Sequence, residues 1–397
     1  MVKFAHLADC HLGSWRQQEL QDLNFLSFQK IIDRIIQEKL NFTLISGDLF
    51  DSAYPPIEIL KETFAEFKKL KDKNIPVYLI AGSHDYSASG RTFLDVLEKA
   101  GLCKNIGQHE VQPDERIKLL PTIHEGIEIY GYAGKKSSLE IEDLKKTYIN
   151  SNAAFTILML HTTISDVIGN IDMNSINKQE LPFANYYAMG HIHQRFNTEE
   201  SNSTFVYPGP TYPNNFQELV DLECGSFQIT ELTNRLTTKN IKIPLKETIF
   251  IEIEIDNGLT ATEKVIEILN KVNMKDKILL LKLKGTLNIG KTGDIKFNEI
   301  EEFISKKETY SYLRNISQLR VKDSDVNLNS TQLDNIEEIE KIIQDEFSSV
   351  NPNDFNIHLP QLMNTLSTEK NEDEKSQFFE TRLIDELKNI LNLNETI

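Results

Sequence analysis

Apolar positions along the chain follow two alternating rhythms. Short, nearly continuous apolar runs at residues 2–8, 42–46, 77–81, 155–160 and 186–189 predict buried strands. Between them the spacing changes to helical. Residues 25–40 carry Phe28, Ile31, Ile32, Ile35 and Ile36 on one stripe, and residues 55–70 carry Ile59, Leu60, Phe64, Phe67 and Leu70 behind a Pro55-Pro56 start. Residues 92–100 predict a third helix, stopped by Gly101. Further strands are expected at 127–132, 205–207 and 226–229. Strand and helix in alternation over residues 1–232 predict a layered α/β domain.

The rhythm shifts between Thr233 and Leu245, and Pro244 marks a boundary. A β-branched alternation at 248–255, an amphipathic helix at 261–272, a strand at 278–284 and a helix at 295–305 predict a small second domain over residues 245–322. A polar linker, 323–331, precedes a helical tail over 332–397. One tail stripe is Leu333, Ile336, Ile339, Ile343 and Phe347; another is Phe379, Leu383, Leu387, Ile390 and Leu391. The chain shows no solenoid repeat.

The candidate chemistry sits where the apolar runs stop. Asp9-Cys10-His11, Asp48 through Asp51, Ser83-His84-Asp85, His161 and His191-Ile192-His193 each follow one of the predicted strands. In an α/β sheet those are the loops at the carboxyl ends of strands, where ligands bind. Five strand ends presenting imidazoles and carboxylates to one edge predict a metal site, and mixed N/O ligation suits Mn²⁺, Fe²⁺ or Zn²⁺ better than Ca²⁺. Cys10, between two ligands, is expected to face away. His6, His109, His124 and His358 lie outside the pattern and predict surface or satisfied core positions.

In this order, the clusters resemble the binuclear metallophosphoesterase superfamily. The resemblance implies a four-layer calcineurin-like sandwich with a small α+β capping domain and a helical C-terminal tail. It implies that Asp9, His11, Asp48 and His193 hold one ion, and that Asp48, Ser83, His161 and His191 hold the second, with Asp48 bridging. His84 would stabilise developing charge or protonate the leaving oxygen, and Asp85 would orient His84. Asp51, last in the family's GD-x-x-D pattern, reads as structural. One position departs from the pattern: Ser83 stands where G-N-H-D has asparagine, which puts second-ion affinity in doubt.

The opening LADCHLG, the segment GSHDYSASGRTFLDVLEKAGL and the later YPGPTYPNNFQEL are similar to the SbcD-type nuclease subunit of the double-strand-break repair complex, over residues 1 to about 320. That resemblance implies two Mn²⁺ ions, 3′-to-5′ exonuclease action on double-stranded ends, and endonuclease action on single strands or hairpins. It also implies a homodimer and an SbcC-type coiled-coil ABC ATPase gripping the C-terminal helices. Two other readings stay open on sequence: a small-molecule phosphodiesterase on the same fold, and a weakly active scaffold that bridges DNA ends.

Charge refines this picture. The net charge is −17 over 397 residues, but residues 323–397 hold 17 Asp/Glu against 5 Lys/Arg, leaving about −5 for the rest. Acidity therefore argues against the tail touching DNA and not against the first domain doing so. No apolar run approaches the ~20 residues of a membrane span. Three cysteines without CxxC spacing and an N-terminus lacking a signal-peptide pattern predict a cytoplasmic protein, and the nuclease resemblance implies association with the nucleoid.

Overall fold

The structure, a computed structural model, describes residues 1–86, 92–168, 174–322, 358–366, 368 and 376–391. Two six-stranded sheets face each other over residues 1–243. The first runs, edge to edge, Leu236–Ile243, Gly225–Leu232, Val2–Leu7, Phe42–Ser46, Val77–Ile80 and Lys104–Asn105. The second runs Arg195–Glu200, Ser203–Pro208, Tyr186–Gly190, Phe155–His161, Ile127–Tyr132 and Thr122–His124. Central strands in both are parallel, with antiparallel strands toward the edges.

Apolar alternation explains the layering. One face of each strand supplies the seam between the sheets: Phe4, Phe42, Leu44 and Ile80 meet Ile129, Ile157, Met159 and Tyr186. The other face of the first sheet packs beneath the helices Gln18–Gln37, Ile57–Asp72 and Phe93–Lys99 through Phe28, Ile31, Ile32, Phe67 and Leu97. The second sheet's outer face is covered through Ile141, Leu144, Ile164 and Ile176. Helix–sheet–sheet–helix is the four-layer sandwich expected. The first domain extends past residue 232, because Leu236–Ile243 pairs with Gly225–Leu232 along its whole length.

The second domain has one strand more than its sequence pattern showed. Thr248–Glu254, Ile278–Leu287 and Ser311–Val321 form a parallel sheet with Ile278–Leu287 central, backed by the helices Gly258–Asn270 and Phe297–Lys306. Ser311–Val321 lies at the edge with only Ser311 fully buried, so its alternation is muted. The opposite face places Ile278 and Leu280 against Leu20, Leu23, Tyr212 and Leu219 of the first domain. Trp15 packs on that cluster and donates its indole N–H to the Pro213 carbonyl (2.9 Å).

The chain beyond Val321 forms a separate unit. Its described helices are Leu359–Leu366 and Ser376–Ile390. The second carries the expected stripe; the first had no expectation, since Pro360 fits only a helix's first turn and the segment is short. The expected helix at 333–347 and the linker lie outside the described residues. No helix among the described residues is long and apolar enough to cross a membrane.

Candidate metal centre

Every expected ligand position lies at the carboxyl end of a central strand, and both sheets contribute. Asp9, Asp48 and Ser83 follow Val2–Leu7, Phe42–Ser46 and Val77–Ile80; His161 ends Phe155–His161 and His191 follows Tyr186–Gly190. Parallel pairing brings the ends level: Leu7 pairs with Ile45, Ser46 with Ile80 and His161 with Gly190. Asp9, His11, Asp48 and His191 all hold positive φ (52°, 42°, 52° and 91°), a left-handed backbone that costs on the order of 1–3 kcal/mol at a non-glycine residue. Strain in four adjoining candidate ligands persists only where the surroundings over-determine it. Gly47 and Gly82 allow the approach: a Cβ on Gly47 would strike the His161 ring, and one on Gly82 the Asp48 carboxylate.

Asp9, His11 and His193 offer donor atoms within 4.8 Å of one another, as do Asp9, Asp48 and His161, and His11, Asp48 and His84. The geometry fits cations. His11 Nε2 lies 3.2 Å from His193 Nε2, while each ring turns Nδ1 to a carboxylate: His11 to Asp51 Oδ1 at 3.2 Å and His193 to Glu218 Oε1 at 2.9 Å. Carboxylates only accept, so Nδ1 carries a hydrogen in both rings and the Nε2 atoms, the ones left to hold an ion, face each other. Two nitrogens each about 2.1 Å from one ion stand about 3.0–3.4 Å apart, so the 3.2 Å separation fits a shared metal. At the second position His161 Nε2 is buried 3.2 Å from Asp48 Oδ2, the nitrogen left to hold an ion, while its Nδ1 reaches the Ser46 carbonyl at 2.9 Å.

Electrostatics agree. Burial alone would lower His161, but the charge and contact of Asp48 outweigh it and lift the ring to about 10. Burial would likewise raise Asp48, yet His161 and His11 hold it far below the ordinary carboxylate range. Burial lowers His193 until Glu218 and Asp9 carry it up to about 9. Burial and the neighbouring His161 leave His191 at about 4, so its ring is neutral with a lone pair available. The buried Asp9 and Asp48 carboxylates among these rings favour positive charge in the cavity, which suits it to a cation.

Two expected roles change. Asp85 does not touch His84. Its buried carboxylate accepts the backbone N–H groups of Gly82 (3.0 Å), Leu49 (3.2 Å) and Phe50 (3.1 Å), stapling the Asp48 and His84 loops together. Burial, then the charge of Asp48, push its carboxyl up to about 6. His84 is instead oriented by the Asp51 carbonyl, 2.8 Å from Nδ1. Asp51 thus serves His11 with its side chain and His84 with its backbone. Ser83 is beside the site, its Oγ donating to Asp48 Oδ2 at 3.4 Å. Glu218 is a site residue that sequence reasoning missed; it lies 25 positions from His193 in the helix Phe216–Leu222, and no spacing rule points to it.

The expectations for Cys10 and His6 hold in simple ways. Cys10 is fully buried in the core facing the helices. His6 is a satisfied core histidine between Tyr186 Oη (3.0 Å) and Ser46 Oγ (3.1 Å). Asn24 braces the first ligand loop by donating to the Cys10 carbonyl at 2.9 Å.

Residues 2–195 match the calcineurin-like phosphoesterase family model. The chain is 30% identical to the DNA double-strand break repair protein Mre11 of Methanococcus maripaludis over 365 residues, covering 87% of this chain and 90% of the relative. It is 32% identical to the protein of the same name from Methanocaldococcus jannaschii over 278 residues, covering 67% and 73%. It is also 27% identical to the uncharacterized metallophosphoesterase YhaO of Bacillus subtilis over 245 residues, covering 59% and 58%.

Proposed function

Because this chain belongs to the calcineurin-like phosphoesterases, in the group of the DNA double-strand break repair protein Mre11, we propose that it is a manganese-dependent DNA nuclease of break repair. The chain is a two-metal phosphodiesterase. The finer reading is 3′-to-5′ exonuclease action on double-stranded ends and endonuclease action on single strands or hairpins. The observation that carries a two-metal reading is the buried Asp48 carboxylate, which lies 3.6 Å from His11 Nε2 on one side and 3.2 Å from His161 Nε2 on the other.

In this reading Asp9, His11, Asp48 and His193 hold one ion, and Asp48, His161, His191 and Ser83 the other. When bound, the ions supply Lewis acidity toward phosphate and lower the pKa of a water. The protein's own contribution lies in placement. His84 has Nδ1–H committed to the Asp51 carbonyl, so Nε2 is its free atom, exposed at the mouth and suited to exchange a proton with the leaving oxygen. A cavity of about 470 Å³ opens beside it, lined by Ser52, Ser83, His84, Lys135, Lys136 and His191. Lys135 is tied to Asp143, whereas Lys136 is exposed and makes no ion pair among the described residues, which suits it to a backbone phosphate.

The test is cleavage of a blunt, end-labelled duplex with Mn²⁺, Mg²⁺ or EDTA. Manganese-dependent shortening from the 3′ ends is expected, and Lys136→Ala should weaken binding and reduce the salt slope by about one. Strong hydrolysis of cyclic nucleotides with the duplex untouched would overturn the reading in favour of a small-molecule phosphodiesterase.

Partner contacts belong to the same proposal. Tyr54, Ile57 and Val96 are exposed apolar residues where two helices of the first layer begin, and Tyr54 meets Phe93 edge-on, a surface suited to a second copy. The helix Ser376–Ile390 has no fully buried side chain along Phe379, Leu383 and Leu387, a stripe suited to a groove on an ABC-type coiled-coil ATPase. Sedimentation is expected to show a dimer that Ile57→Asp dissociates, and a larger complex with the ATPase that Leu383→Asp prevents. A wild-type monomer would rule out the dimer.

A further inference from the structure

We propose that Glu218 is a positioning residue that makes the Asp9–His11–His193 position the tight one, so that the two ions load in order and the Ser83 position fills last. The proposal rests on the two-metal reading above and goes beyond it by assigning unequal affinities to named side chains.

The asymmetry lies behind the ligands. Both histidines of the first position are backed by anions: Glu218 Oε1 holds His193 Nδ1 at 2.9 Å and Asp51 Oδ1 holds His11 Nδ1 at 3.2 Å. A carboxylate behind an imidazole fixes the tautomer and raises the basicity of the ligating nitrogen; loss of such a partner typically lowers metal affinity 10–100-fold. The second position has weaker support. His161 Nδ1 hydrogen-bonds a neutral carbonyl, that of Ser46, with the Asp9 carboxylate farther off at 3.9 Å, and the His191 ring makes no hydrogen bond among the described residues. Its remaining ligand is the short Ser83 hydroxyl, which already donates to Asp48.

Glu218 is itself fixed. Its Oε2 accepts the Asn214 N–H at 2.8 Å, its own N–H caps onto Asn215 Oδ1 at 2.9 Å, and its side chain is 16% exposed. The carboxylate therefore reaches His193 from the first turn of a short helix, ordered before any ion arrives. With the first position preformed and the second under-supported, the phosphodiester oxygen of a substrate is the natural group to complete the second.

Titration of the full-length protein with Mn²⁺, followed by the paramagnetic resonance of the free ion without DNA, tests this directly. Two classes of site are expected, at least about tenfold apart. Glu218→Gln keeps the acceptor oxygen but removes the charge, and should weaken the tight class about 10–100-fold while leaving the loose class unchanged. Ser83→Asn should strengthen the loose class alone. Two equal sites in the wild type, or a Glu218→Gln variant that leaves the tight class intact or weakens both classes alike, would overturn the proposal. Should Glu218→Gln not fold, Ser83→Asn decides, because an ordered pair requires it to move only the weaker class. A folded wild type that binds no Mn²⁺ refutes the two-metal reading itself, an outcome distinct from two bound ions of equal affinity.

Discussion

Asp48→Asn is expected to abolish manganese-dependent cleavage while leaving the metal-free fold nearly intact. Asp48 is the junction of the site: its carboxylate lies 3.2 Å from His161 Nε2 and 3.6 Å from His11 Nε2, and it accepts the His84 N–H at 2.7 Å and the Ser83 hydroxyl at 3.4 Å. Asparagine keeps an acceptor for the His84 N–H and roughly the same volume, but removes the anion that both metal positions share. Loss of one preorganised electrostatic group in an active site commonly costs about 10²–10³ in rate. Loss of a ligand common to two ions should exceed that, so a fall of at least about 10³-fold is expected. Thermal melts separate the causes. Wild type should gain stability with Mn²⁺, on the order of 2.7 kcal/mol for each ion at a hundred times its dissociation constant. Asp48→Asn should melt close to wild type in EDTA and gain little when Mn²⁺ is added. Cleavage within about tenfold of wild type would remove Asp48 from the bridging role.

The cluster of candidate ligands was legible because each residue occupies a position with its own local signal. A buried parallel strand is a short apolar run, and the first aspartate or histidine after it sits at the sheet's carboxyl edge whatever the fold does elsewhere. The partners behind those ligands carry no such signal. Glu218 supports His193 across 25 residues, Asp51 supports His11 across 40, and Asp85 reaches Leu49 across 36. Those spans are set by how sheets and loops pack, which neither period nor spacing encodes. The same limit explains Arg195–Glu200 and Ser311–Val321. Both are edge strands with one face toward solvent, so their apolar content is too low to stand out. Asp85 shows how a motif misleads: adjacency to His84 suggested contact, but successive side chains diverge and the carboxylate turns inward to three backbone amides.

Asp85→Ala and His84→Gln should therefore fail in different ways, although the residues are neighbours. Removing the Asp85 carboxylate leaves the N–H groups of Gly82, Leu49 and Phe50 without their acceptor in a site where water has little access. Each buried donor left unpaired costs about 1–3 kcal/mol. Three together amount to a large share of the roughly 5–15 kcal/mol that holds a domain folded. The Asp85→Ala protein should melt well below wild type in EDTA, with metal binding weakened because the Asp48 turn loses its staple. His84→Gln should melt like wild type and bind Mn²⁺ normally, since His84 is exposed and its ring supports only its own orientation. Its defect should appear as a loss of about 10²–10⁴-fold in cleavage, the range for a positioned proton donor. A substrate with a leaving group that needs no proton should recover part of that loss in His84→Gln and none of it in Asp85→Ala. If Asp85→Ala instead melts like wild type and mirrors His84→Gln in every kinetic respect, then Asp85 acts through His84 after all, and the three amides find other partners.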